Sequence, residues 1–122
     1  MPREKQNGRT TDDFKKFRNE MNEEILGGGH LGIKRLFALD HQAYEPGALG
    51  TKTKELLGLV DSAVLPCDDR ITCHVVRCAE EGWKRDEVID ALNVALIVGG
   101  SIVIPHARRA FARMREILGL QP

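Results

Sequence analysis

The chain has 122 residues, 42% of them hydrophobic, which is enough to bury one modest core but not two independent ones. Its 18 lysines and arginines balance 18 aspartates and glutamates, so no summed field draws it to nucleic acid or to an anionic membrane surface. The longest apolar run, Ala91 to Pro105, is interrupted by Asn93 and a Gly-Gly-Ser break and falls short of the roughly 20 residues that span a bilayer, which argues against a membrane protein.

Residues 1–10 are polar and read as a flexible N-terminus. With no apolar segment they do not form a secretory signal, which points to the cytoplasm, where the 3 cysteines would stay reduced. Residues 11–120 then read as a single domain. Thr11 or Asp12 caps a first helix in which Phe14, Phe17, Met21 and Ile25 recur at helical spacing. Gly27 to Gly29 break it, and Leu31, Ile33, Leu36, Phe37, Leu39 and Tyr44 mark a second helix before the turn at Pro46 and Gly47. From Thr51 a third helix carries Leu56, Leu57, Leu59, Val60, Ala63 and Val64 on a broad apolar face and ends at Pro66.

Asp68 and Asp69 suit the positive start of a fourth helix, and Gly82 suits its C′ position. A fifth runs from Arg85, with acidic residues in its first turn and Gly99 and Gly100 after it. The last has Ser101 as its cap, Pro105 four or five residues in, and a basic outer face of Arg108, Arg109, Arg113 and Arg115. No stretch sustains the alternation of a strand. The expected fold class is therefore all-α, a compact domain of about six helices built around an antiparallel helix hairpin.

That hairpin decides which side chains can meet. Glu55 lies eleven residues before Pro66 and His74 eight after it, so at about 1.5 Å of rise per residue their heights differ by about one turn. On the fourth helix, positions 67, 70 or 71, 74 and 78 share a face. Cys67 and His74 point the same way but stand about 10 Å apart along the axis, so a residue at position 70 has to bridge them. A second cysteine there would make Cys-x-x-Cys, whose sulfurs approach disulfide distance at a helix start where the dipole favours a thiolate. Arg70 holds that place.

Glu55, Cys67 and His74 in this spacing resemble the alkyl hydroperoxidase D-like, or carboxymuconolactone decarboxylase-like, helical proteins, whose redox branch carries Glu-x11-Cys-x-x-Cys-x-x-x-His. The flanks "YEPGALGTKTKELLGLV", "GW-RDEV-DAL" and "ALIVGGSIVIPHARRA" read like segments of the same family, and the likeness covers roughly residues 12 to 118. It implies an all-helical fold assembled as a homo-trimer or homo-hexamer with active sites near subunit interfaces. It also implies hydroperoxide reduction by the cysteine pair, with glutamate and histidine relaying protons, or decarboxylation of a small carboxylated lactone in members that lack the pair and keep the histidine. Arg70 departs from the redox pattern at the family's more reactive cysteine.

Each residue also has a plainer reading. Cys67 is either a reactive thiol or a small buried or capping residue; Cys73, about 120° off the shared face, is at most a substitute resolving thiol reached by local unwinding. Cys78 reads as a buried structural cysteine, and Arg70 either lies on the surface or turns inward to pair with Glu55. His30, His41 and His106 are scattered without metal-ligand spacing, so neither a metal nor another cofactor is expected.

The expected function is a thiol oxidoreductase with a one-cysteine site: Cys67 reacts, and Glu55 and His74 handle protons. An external thiol would serve as reductant and a hydroperoxide as substrate. A decarboxylase-like enzyme acting on a small organic acid held by Arg70, or a non-catalytic oligomeric binding protein, are the alternatives.

Overall fold

A computed structural model describes residues 10–118, in two compact units that divide between Glu45 and Pro46. The expected flexible N-terminus lies outside the described residues except for Thr10. The elements are α1 (Thr11–Gly27), α2 (Leu31–Ala43), α3 (Thr51–Val64), α4 (Asp68–Glu80), α5 (Arg85–Gly99), a single 3₁₀ turn (Ser101–Val103) and α6 (Ile104–Leu118). The described residues are all-helical, as the pattern of apolar residues predicts.

In the first unit, α1 and α2 form a hairpin. The cap of α1 is Thr10, one residue ahead of the expected position, and its hydroxyl accepts from Asp13 N at 3.1 Å. Gly29 takes the positive φ of the turn, after which the ring of His30 caps α2 by accepting from Ile33 N at 3.4 Å. No residue of α2 is buried within the described chain, and Leu31, Leu36 and Leu39 face outward.

The second unit holds the core. α4 lies between α3 and α6, and α5 packs against α3. Leu59, Ile71, Val75, Leu92, Val103 and Met114 are almost completely removed from water, and each such side chain contributes about 1.5–3 kcal/mol. Pro66 ends α3 and the chain re-enters α4 through Cys67, in extended conformation at the N-cap, so the predicted antiparallel hairpin forms. Its open end is held by Trp83, whose Nε1 donates to the Lys52 carbonyl at 2.8 Å while the Lys52 ammonium lies 4.4 Å from the ring centre. Gly82, at φ +91°, supplies the left-handed turn that releases the chain from α4.

Two expectations change. Ser101 opens a 3₁₀ turn rather than the last helix, so Pro105 is the second residue of α6, where its missing N–H would have had no intrahelical partner. The last helix does not carry a uniformly basic outer face: Arg108 and Arg115 are exposed, but Arg109 and Arg113 are engaged by carboxylates, and the Arg113 side chain is only 13% exposed.

Candidate active site

Across the hairpin, α3 and α4 bring the two predicted proton-handling groups into contact. His74 Nδ1 donates to Glu55 Oε1 at 2.9 Å, with Glu55 3% and His74 5% exposed. Buried polar groups need hydrogen-bond partners, and here the carboxylate and the imidazole each supply one to the other. A carboxylate oxygen can only accept, so this bond places a proton on Nδ1.

Gly58, one turn after Glu55, makes room for the ring: a Cβ at that position would lie 2.5 Å from His74 Cε1 and 2.7 Å from Nε2. The other carboxylate oxygen of Glu55 accepts from Arg77 Nε at 3.4 Å. Arg77 in turn donates through Nη1 to Glu80 at 2.6 Å. That bond, and after it the field of Glu55, raises the Arg77 guanidinium above its ordinary value against the opposing effect of partial burial, so it is a permanent cation beside the pair. Arg70, expected as the inward partner of Glu55 if any arginine was, is exposed; Glu55 takes Arg77 instead.

The cysteines separate into three environments, and no disulfide joins them. Cys67 is exposed at the N-cap of α4, and its side chain makes no capping bond, so the capping explanation does not hold. Cys73 is half-buried and follows an unbroken stretch of α4, about 9 Å along the axis from Cys67, which is too far for a bridge while the helix is intact. Cys78 is buried, and desolvation, helped by the nearby charges of Glu55 and Glu81, pushes its thiol up to about 12.

The unfolded Cys78 thiol releases its proton above about 9, whereas the folded one keeps it to about 12. The folded state therefore loses stability relative to the unfolded state as pH rises through that window, and loses none below it. Iodoacetamide at pH 8 is accordingly expected to label Cys67 in the native protein and to leave Cys78 unmodified until denaturant is added, read by peptide mass spectrometry. Labelling of Cys78 in the folded protein would contradict its placement.

The sequence profile of the carboxymuconolactone decarboxylase family matches residues 33–113. The chain belongs to this family. Thermotoga maritima TM1620, a family member for which a part in the antioxidative response has been suggested, has solved structures that superpose with TM-scores of 0.84 and 0.83 at 53% and 52% identity. These cover 87% of this chain and 93% and 90% of theirs. A Legionella pneumophila family member, apo-lpg0406, superposes with a TM-score of 0.64 at 28% identity, over 88% of each chain. A Paracoccus denitrificans protein described as uncharacterized protein 4 in the cox locus is 30% identical over 67% of this chain and 74% of its own length.

Three further residues bear on this arrangement that the sequence did not assign to it. Arg77 lies three residues after His74 on the same helix, so helical spacing was enough to find it. Gly58 carried a signal too, as a glycine inside an otherwise apolar helix, which usually marks close packing. His106 lies 38 residues from Asp68, to which it is bonded, and only the packing of α6 on α4 reveals that pair.

Proposed function

We propose that this carboxymuconolactone decarboxylase family protein is a one-cysteine thiol oxidoreductase of the cytoplasm with an antioxidant role. In this reading Cys67 reduces a hydroperoxide, Glu55 and His74 supply protons to the site, and an external thiol restores the cysteine. The observation that carries it is the exposed Cys67 thiol at the positive end of α4, the helix whose His74 is paired with Glu55 of α3 in the buried interior. The suggested antioxidative part of TM1620, so similar in sequence and fold, supports it. No helix of the described residues is long and apolar enough to cross a membrane.

Hydroperoxide consumption in the presence of a small thiol tests the proposal. Wild-type protein is expected to turn over, and Cys67→Ser to fall to background. A second reading is favoured by Arg77, the fixed cation at the Glu55 carboxylate: acid–base chemistry at His74 on a small carboxylated lactone, with Arg70 holding the substrate carboxylate. Lactone turnover that survives Cys67→Ser would select it, and activity toward neither substrate would leave a binding role.

Val94, Ile97 and Val98 on α5 and Ile102 and Ile104 after it are large apolar residues turned to solvent in the isolated chain. Further copies of the chain, as a homo-trimer or homo-hexamer, would cover them. Light scattering at micromolar concentration is expected to give a multiple of the chain mass, and a Val98→Asp substitution to reduce it; a stable wild-type monomer would contradict this.

A further inference from the structure

A second histidine–carboxylate pair includes Asp68, the residue next to Cys67. Asp68, the residue after Cys67 and the first of α4, is held from α6 at both carboxylate oxygens. His106 Nδ1 donates to Oδ1 at 2.8 Å and Arg109 Nε donates to Oδ2 at 2.9 Å. The same turn is tied down again by Thr72, which donates to the Asp68 carbonyl at 3.0 Å and accepts from Arg113 Nε at 3.2 Å. Of the charged groups at this turn, Arg109 holds Asp68 directly, Arg113 holds Thr72, and Asp69 follows Asp68 in the chain.

With Nδ1 engaged, His106 Nε2 has no partner among the described residues, and the side chain is 23% exposed, so the nitrogen is within reach of solvent and small solutes. The Cys67 thiol has no hydrogen-bond partner among the described residues either, whereas His74 stands about 10 Å further along the helix axis.

Resting on the thiol oxidoreductase reading above, we infer that His106 is the catalytic acid–base group for Cys67 and Asp68 its positioning residue. The hydroperoxide itself, or one water, bridges the sulfur and Nε2. His106 Nε2 takes the thiol proton. The thiolate attacks the terminal oxygen of the hydroperoxide, forming S–O as O–O breaks; the cysteine is oxidised to a sulfenic acid and the peroxide reduced. His106 returns its proton to the departing alkoxide, giving the alcohol. One small thiol then condenses with the sulfenic acid to a mixed disulfide and water, and a second releases Cys67 as thiol with a small-molecule disulfide as product. His106 thus serves the oxidation of Cys67, and the Glu55–His74 pair, which lies further along the helix, serves the later steps in which the external thiol restores the cysteine.

The rate of Cys67 oxidation by hydrogen peroxide, followed by stopped flow from pH 5 to 9, tests this on the full-length protein. His106→Gln is expected to slow oxidation about 100-fold near neutrality and to remove from the pH profile the ionisation that belongs to the imidazole. Asp68→Asn, which keeps an acceptor for Nδ1 but not the charge, is expected to slow it less and to shift that ionisation. Wild-type rates in both variants, or equal slowing with the profile unchanged, would overturn the assignment to His106 while leaving Cys67 as the reactive thiol. If His106→Gln fails to fold, the Asp68→Asn profile decides in the same way. A wild-type Cys67 that does not oxidise at all would overturn the thiol reading, and this inference with it.

Discussion

Glu55→Ala is expected to lower stability by about 3 kcal/mol, a fall of roughly 10 °C in melting temperature, and to reduce turnover at least about 100-fold. The direction follows from burial. Glu55 is 3% exposed and supplies the acceptor for a histidine that is itself 5% exposed, so its removal strands the ring nitrogen out of reach of water. It also takes one carboxylate from Arg77, but the arginine side chain is 46% exposed and keeps the closer Glu80, so this second loss is small beside the first. Thermal melting followed by circular dichroism reads the stability, and turnover is measured well below the variant's melting temperature. A variant that melts with the wild type would mean that the Glu55–His74 bond contributes nothing to the fold.

Gly58→Ala separates geometry from composition. Alanine in a helix interior is intrinsically favoured over glycine by about 1 kcal/mol, and an open site would be stabilised by that amount. Here the new methyl would fall 2.5 Å from His74 Cε1, and the ring cannot yield cheaply because it is buried and bonded to Glu55. Overpacking of this kind costs about 1–3 kcal/mol, which offsets or outweighs the propensity gain. The expected result is a stability change between neutral and about 2 kcal/mol destabilising, with turnover reduced about 100-fold because the imidazole is displaced from its carboxylate. A more stable variant with full turnover would show that the ring moves freely and does not depend on its present position.

The main features of the hairpin were legible because helices translate sequence spacing directly into height and direction. Pro66 fixes the turn, and the rise per residue then places Glu55 opposite His74 whatever the rest of the fold does. The boundaries of α3, α4 and α5 followed from Pro66, Gly82 and Gly100 for the same reason, since each imposes or permits one local conformation. The start of α6 was misread because a 3₁₀ turn leaves almost the same apolar spacing as an α-helical one over three residues.

What could not be read was lateral: which face of α6 meets α4. The spacing of Arg108, Arg109, Arg113 and Arg115 describes a basic surface equally well whether or not some of them meet carboxylates. Packing alone turns Arg109 toward Asp68 and brings His106 beside it. Arg70 is the complementary case. Its position in the motif left both a surface and an inward role open; among the described residues the arginine that meets Glu55 is Arg77, about two turns further along the same helix, while Arg70 is exposed.

Intact-protein mass spectrometry with dimedone present, after one equivalent of hydrogen peroxide, tests most directly whether Cys67 is the working thiol. A single adduct is expected, mapping to Cys67 and absent from Cys67→Ser, with Cys73 and Cys78 unmodified. An unmodified Cys67, or an adduct that maps to Cys73 instead, would contradict it.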